Sequence, residues 1–114
     1  MRITSYSFGR VIVDGNSYTD DLIILPDRVR PNWWREEGHE LRPSDLEEVL
    51  EARPEVLIVG TGYYGRMQVA REAEECLRKA GIVLEAVGTQ EACERFNRLA
   101  EEGRKVAAAL HLTC

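Results

Sequence analysis

The chain has 114 residues, 44% of them apolar and 31% charged, with a formal net charge of −5. That length bounds it to one domain over 1–114, able to bury a core without disulfide or metal staples. The acidic balance and the lack of a basic run argue against nucleic acid as the main partner, and no apolar run reaches the ~20 residues of a membrane-spanning helix. The opening MRITSYSF lacks the basic and apolar regions of a signal peptide, so a cytoplasmic location is expected.

The first forty residues read as β-rich. Ile3 to Phe8 alternates loosely. Arg10 to Val13 and the stretch from Tyr18 flank Asp14-Gly15, a hairpin turn where glycine accepts positive φ. Leu22 to Leu25 is a short strand stopped by Pro26. Val29 to Trp34 is another, confined by Pro31 to an edge or bulge. After Pro43 the texture changes to alternating helices and strands. Ser44 and Glu47 make an S-x-x-E capping box, followed at helical spacing by Leu46, Val49, Leu50 and Arg53, with Pro54 as the stop. Val56 to Val59 is an uninterrupted apolar run, as in a strand buried on both faces. A second helix is predicted from Met67 to Ala80, with Ala70, Ala73, Leu77 and Ala80 on one stripe and Gly81 after it. Ile82 to Val87 is the next strand. Thr89 opens and caps a third helix with Ala92, Phe96 and Leu99 inward, ended by Gly103. Val106 to Leu112 reads as a closing strand, although its alanines would suit a helix. Strands followed by α-β-α-β-α-β predict an α/β fold with α+β character at the N-terminus. A mixed central sheet is covered by helices, its crossovers favour parallel strands, and the N-terminal hairpin packs to one side.

Gly60-Thr61-Gly62-Tyr63-Tyr64-Gly65 has the G-x-G-x-x-G spacing of a dinucleotide fingerprint, after a strand and before a predicted helix. Such a helix start offers free N–H groups to phosphate. Glu85 lies twenty positions past Gly65, yet mid-strand, while Val87 and Gly88 occupy the place of a ribose-binding carboxylate. The 26 residues after Gly88 are too few for a second mononucleotide-binding half. Tyr63 and Tyr64 put two large rings where pyrophosphate needs room. The favoured reading is a turn that needs glycine for its backbone shape; a small anion or carboxylate at the helix start is the alternative. No cofactor is expected.

The C-terminal segment GIVLEAVGTQEACERFNRLAEEGRKVAAALHLTC contains E-x-x-x-T, then A-x-x-x-F-N-x-L-x-x-E-G-R-x-V, then H-x-T-C, and NWWREEGHE lies upstream. With the G-x-G loop, this resembles, over nearly the whole chain, the family of small proteins that includes the adipogenesis-associated domain protein of animals. Mitochondrial complex I assembly factor 3 is a more distant member. The HLTC ending and the Trp-Arg pair are most similar to the adipogenesis-associated branch. The resemblance implies a three-layer α/β fold around a mixed sheet, no established enzymatic activity, and a glycine loop in which Gly65 is not part of the pattern. The mitochondrial member's role is protein assembly; a transit peptide is not apparent here.

Within the matching segment Glu85, Thr89, Asn97 and Arg104 fall on successive elements. The structural reading has Thr89 capping a helix, Asn97 bonding backbone, and a central-strand Glu85 paired with Arg104. The functional reading is a polar pocket for a small anionic ligand, with Arg104 or Arg35 as a fork-shaped donor, or Glu85 as a base. Trp33 and Trp34 beside Arg35 either cover a sheet edge or line a cleft suited to a partner. His111 and Cys114 invite a thiol–imidazole pair, but in a strand they point to opposite faces. His39, His111 and Cys114 lack metal-ligand spacing, and Cys76, Cys93 and Cys114 form no C-x-x-C pair. Two function classes remain. One is a non-enzymatic domain that binds a protein partner or small ligand, favoured by an exposed Trp33 or Trp34. The other is a small enzyme or nucleotide binder, favoured by a cleft joining Gly60, Thr61 and Gly62 to Glu85 and Arg104.

Overall fold

A computed structural model describes residues 1–114. Strands β1 (Ile3–Ser7), β2 (Arg10–Val13) and β3 (Asn16–Tyr18) form an antiparallel meander. Asp14 and Gly15, both at positive φ, make the β2–β3 turn. Strands β4 (Leu22–Ile24) and β5 (Val29–Arg30) follow, then β6 (Glu40–Leu41), a 3-10 turn (Pro43–Leu46) and α1 (Glu47–Ala52). The second half runs β7 (Val56–Gly60), β8 (Gln68–Val69), α2 (Arg71–Lys79), β9 (Val83–Val87), α3 (Thr89–Glu101) and β10 (Val106–Leu110). The central sheet has the order β5-β4-β10-β7-β9. Strand β7 is parallel to β9 and β10, while β4 is antiparallel to β10 and β5. The alanine-rich Val106–Leu110 is therefore a central strand, as its place after a helix stop suggested.

Period-two alternation divides the sheet faces. Val56 and Ile58 of β7 with Val106, Ala108 and Leu110 of β10 turn toward α3 and the β1–β2 hairpin, where Ala92, Phe96, Ile3, Val11 and Val13 complete one core. Leu57 and Val59 with Ala107 and Ala109 face the opposite layer of Leu46, Val49, Ala73 and Leu77, joined by Trp33 and Met67. This is the three-layer mixed α/β arrangement, with every residue of β7 and β10 buried.

The strand expected from Tyr18 onward runs Asn16–Tyr18, the closing strand stops at Leu110 short of Leu112, and four further boundaries differ for reasons the contacts show. The strand expected over Val29 to Trp34 stops at Arg30, because Asn32 takes positive φ after Pro31. The helix expected from Met67 starts only at Arg71: the Met67, Gln68 and Ala70 N–H groups donate to Thr61, His39 and Leu41 carbonyls instead. Ser44 does not cap; Arg42 is the cap position, Asp45 Oδ2 accepts the Arg42 N–H at 2.8 Å, and the Ser44 hydroxyl donates to Glu36. Thr89 does not cap either. Gly88 holds that position, and the Thr89 hydroxyl bridges other segments.

Candidate functional site

The glycine loop is packed, not open. Thr61 N–H donates to Val87 O at 2.8 Å, Gly62 N–H to Thr89 Oγ1 at 2.8 Å, Tyr63 N–H to Thr113 O at 2.6 Å, and Arg66 N–H to Cys114 O at 3.1 Å. These amides, which a phosphate loop would aim at its ligand, already have protein acceptors. The loop leads into β8 rather than a helix of its own, and the start of α3, which does meet it, spends the Thr89 N–H on Gly62 O at 3.1 Å. A Cβ on Gly60 would stand 2.9 Å from Thr89 Oγ1, and one on Gly62, at φ +114°, 2.5 Å from the Cys114 backbone. Both glycines are required by close approach, and Gly65 meets nothing nearer than 3.6 Å. Thr89 fastens the arrangement by donating to His111 O at 2.6 Å while accepting from Gly62.

Glu85 and Arg104 are not brought together. Strand β9 is an edge of the sheet, not its centre, so Glu85 needs no buried partner; it pairs with Arg95 of α3. Arg104 faces Glu55 at 3.5 Å, both largely exposed. Asn97 clamps the N-terminal strand: its Nδ2 donates to Ile3 O at 2.6 Å and its Oδ1 accepts Ile3 N–H at 2.8 Å. The cavity nearest the loop, about 580 Å³ at the start of α3, is lined by Tyr63, Gly88, Thr89 and Arg95 among others; Gly60, Glu85 and Arg104 are not among them.

A different cluster forms where β10 ends. Leu22 pairs with Leu110, which sets Asp21 beside His111. Asp21 Oδ2 accepts from His111 Nδ1 at 2.8 Å and Arg35 Nη2 at 2.8 Å, and Oδ1 accepts the Leu112 N–H at 2.8 Å. An ionised carboxylate only accepts, so Nδ1 carries the proton, and the 3.1 Å approach of Arg35 Nη2 to that nitrogen is contact rather than a bond. Arg35 Nη2 also donates to Gly38 O at 2.9 Å, and the guanidinium lies 4.7 Å over the Trp33 ring. Burial alone would raise the Asp21 carboxyl; hydrogen bonds from His111, the Leu112 N–H and Arg35 outweigh it and hold it below the ordinary carboxylate value. A cavity of about 280 Å³ adjoins the cluster, lined by Trp34, Arg35, Gly38, His111 and neighbours. Asp21 carried no sequence signal: its partners lie 14 and 90 positions away. Arg35 and His111 were legible as candidates but not as partners.

The aromatic residues separate by exposure. Trp33 is buried, its indole N–H donating to Asp45 O at 3.0 Å, while Trp34 is 77% exposed. Phe8, Tyr63 and Tyr64 form a contiguous patch with ring centroids 5.0 to 6.2 Å apart, each more than half exposed. Thr113 connects the two places: its carbonyl accepts from Tyr63, and it lines the Arg35 cavity. Tyr6, beneath the patch, donates to Leu112 O at 2.9 Å, and its phenol is pushed up to about 12, chiefly by burial. Burial also pushes the Cys93 thiol up to about 12. Cys93 is therefore expected to resist iodoacetamide at pH 8 in the folded chain and to react once urea unfolds it, which timed alkylation with mass spectrometry reads directly.

Comparison with known proteins places the chain in a family. A family model described as "Protein of unknown function (DUF498/DUF598)" matches residues 3–111. The human protein named NADH dehydrogenase (ubiquinone) 1 alpha subcomplex assembly factor 3 is 33% identical over 113 residues, covering 96% of this chain and 60% of its own length. The zebrafish protein of that name is 35% identical over 111 residues, covering 95% of this chain and 62% of its own length. The chain thus spans about 60% of the length of the curated relatives it matches. The solved structure of MT938 superposes with a TM-score of 0.83 at 30% identity, over 99% of this chain and 98% of that one.

Proposed function

We propose that this chain, which belongs to the DUF498/DUF598 family, is a non-enzymatic module that binds a protein partner through the end of the sheet where β7 and β10 finish. The observation that carries the reading is the exposed aromatic surface there: Phe8, Tyr63 and Tyr64 at 51, 54 and 65% exposure, with Trp34 at 77%. Large exposed rings are unusual on a solvated surface and dominate partner-binding energetics. The curated relatives are named as an assembly factor of an NADH dehydrogenase subcomplex, which supports the same direction. The enzyme reading needed a cleft joining the glycine loop, Glu85 and Arg104, and those groups stand apart. The finer kinship with the adipogenesis-associated branch rests on NWWREEGHE and HLTC and belongs to this proposal.

The test is quantitative affinity purification from cells that make the protein, comparing wild type with Phe8→Ser/Tyr64→Ser/Trp34→Ser. Removing such anchors is expected to weaken a partner at least 30-fold, on the order of 2 kcal/mol for a single strong anchor. The melting temperature is expected to hold, since the side chains are exposed. A stoichiometric partner retained equally by both proteins, or none with the wild type, would sink the reading.

A further inference from the structure

We infer that strand β9 is a self-pairing edge: two copies of this chain join antiparallel along Val83–Val87, Leu84 of one opposite Ala86 of the other, and make one continuous sheet. The inference is independent of the aromatic partner surface proposed above, which lies at the end of β7 and β10. The β7–β9 ladder fixes which backbone groups are free. In a parallel ladder each residue turns its N–H and C=O to the same side, and successive residues alternate sides. Val83 N–H donates to Glu55 O at 3.0 Å, and Val87 O accepts from Thr61 N–H at 2.8 Å. Val83, Glu85 and Val87 therefore face β7, and the N–H and C=O groups of Leu84 and Ala86 point outward, where the sheet ends. Such a row is a template for another strand. The two edges of the sheet are not alike. Strand β5 is two residues long, bracketed by Pro26 and Pro31, and its Arg30 reaches Glu48, all of which blunt an edge. Strand β9 has five residues in unbroken register with β7, no proline, and a Val83 that is 56% exposed.

The sequence of the edge selects the occupant. Val83-Leu84-Glu85-Ala86-Val87 reads nearly the same from both ends. With a two-fold axis at Glu85, each Leu84 meets an Ala86 of the other copy, and the pair exchanges both of its ladder bonds. On the face toward α3, each Val83 lies against a Val87, which covers the exposed valine. On the opposite face each Leu84 lies against an alanine, so large meets small. The contact is isologous and closes on itself, so it adds no third copy. At its centre the two Glu85 carboxylates come together, and like charges directly opposite disfavour pairing. Arg95 offsets this. Only its Nε is engaged, by Glu85 of its own chain, so the rest of the guanidinium is free to donate to the other copy's carboxylate. The two Glu85–Arg95 pairs sum to zero charge. A foreign strand would satisfy the backbone row; a second copy also brings the reversed valine pattern and the second Glu85–Arg95 pair.

Paired strands this short make a small interface, under about 1,200 Å² in all, so a reversible dimer with Kd on the order of 10–100 µM is expected rather than an obligate one. Sedimentation velocity of the full chain, from well below to well above that concentration, is expected to carry the mass from 13.0 kDa toward twice that value. Ala86→Pro removes an outward N–H at a position where proline leaves the β7 ladder intact, and Val83→Lys puts a charge on the exposed end of the edge. Each is expected to weaken the dimer roughly 10-fold or more, with the circular dichroism unchanged. Val83→Lys keeps the edge testable should Ala86→Pro fail to fold. Glu85→Cys reads the register. The Cα atoms of a directly opposed, non-hydrogen-bonded pair are about 4.5 Å apart, within disulfide reach, so mild oxidation is expected to link position 85 of the two copies, as mass spectrometry of the joined peptide shows. Doubling of mass that the folded variants reduce, together with that link, supports the inference. The mass of one chain throughout, a dimer indifferent to the folded variants, or no link at position 85 overturns it. A chain that stays monomeric and loses a co-purified protein on Ala86→Pro holds another protein's strand at this edge, which overturns self-pairing as well.

Discussion

Gly62→Ala is expected to destabilise the chain by about 3 to 5 kcal/mol, a large share of a typical domain's stability. Two costs combine. The residue sits at φ +114°, outside the regions open to an L side chain, which costs on the order of 1–3 kcal/mol. Its new methyl would lie 2.5 Å from the Cys114 carbonyl carbon and oxygen and 2.8 Å from Thr113 O. Overlap with backbone is relieved only by moving the segment, at roughly 1–3 kcal/mol more. Gly65→Ala is the internal control. It carries positive φ alone, with its nearest neighbour at 3.6 Å, and about 1 kcal/mol is expected. Urea denaturation of the three proteins measures the gap. Equal losses at the two positions would mean that the loop is not held against residues 113 and 114, and the packed-turn account of GTGYYG would fall with it.

Asp21→Ala is expected to cost about 3–5 kcal/mol, because it strands the buried Arg35 charge and leaves the Leu112 N–H and His111 Nδ1 without an acceptor. Removing both charges in Asp21→Ala/Arg35→Met should recover much of that loss, since an apolar side chain can follow Arg35 across Trp33 without an uncompensated charge. The same network sets a pH dependence. The folded Asp21 carboxyl lies below its ordinary value of 3.8, so the folded state binds its proton less readily than the unfolded chain does. Its contribution is complete well above pH 3.8 and is lost as the pH falls through the depressed folded value. Urea midpoints at pH 7, 5 and 3 should show wild type losing this increment only toward the lowest pH, and Asp21→Asn lacking that part of the slope. An unchanged slope in Asp21→Asn would show that the acid sensitivity comes from other carboxylates.

The elements most legible in the sequence were those whose signal is local. Val56–Val59 announced a doubly buried strand by lacking polar residues, and Asp14-Gly15 announced its turn by residue type. Helix starts were less legible, because what decides them is remote. Ser44 and Thr89 have cap-forming side chains, but Glu36 in one case and Gly62 with His111 in the other claim the hydroxyl. Met67 to Ala70 has helical composition and is drawn out of a helix by carbonyls of residues 39, 41 and 61. The candidate site shows the same division. Arg35, Trp34 and His111 were legible as residue types suited to binding. Asp21, which ties two of them together, was not, because an exposed-looking Asp-Asp pair gives no hint of a histidine ninety positions away. Glu85 was misplaced for a related reason: its strand looks like an interior one until the order of the sheet is known.

The central position of β10 has a consequence for how the protein is made. Val106–Leu110 lies between β4 and β7, so until it emerges from the ribosome those two strands have no neighbour on their inner edges. From the completion of β7 until β10 is made, the nascent chain carries two open apolar edges, the condition under which strands pair with the wrong chain. The Asp21 cluster, the Thr89 bridge and the seat of Gly62 all wait for residues 111–114 as well. A chain interrupted anywhere before β10 therefore lacks the sheet centre together with the candidate site, and is left as a substrate for chaperones or proteases rather than as a partly working module.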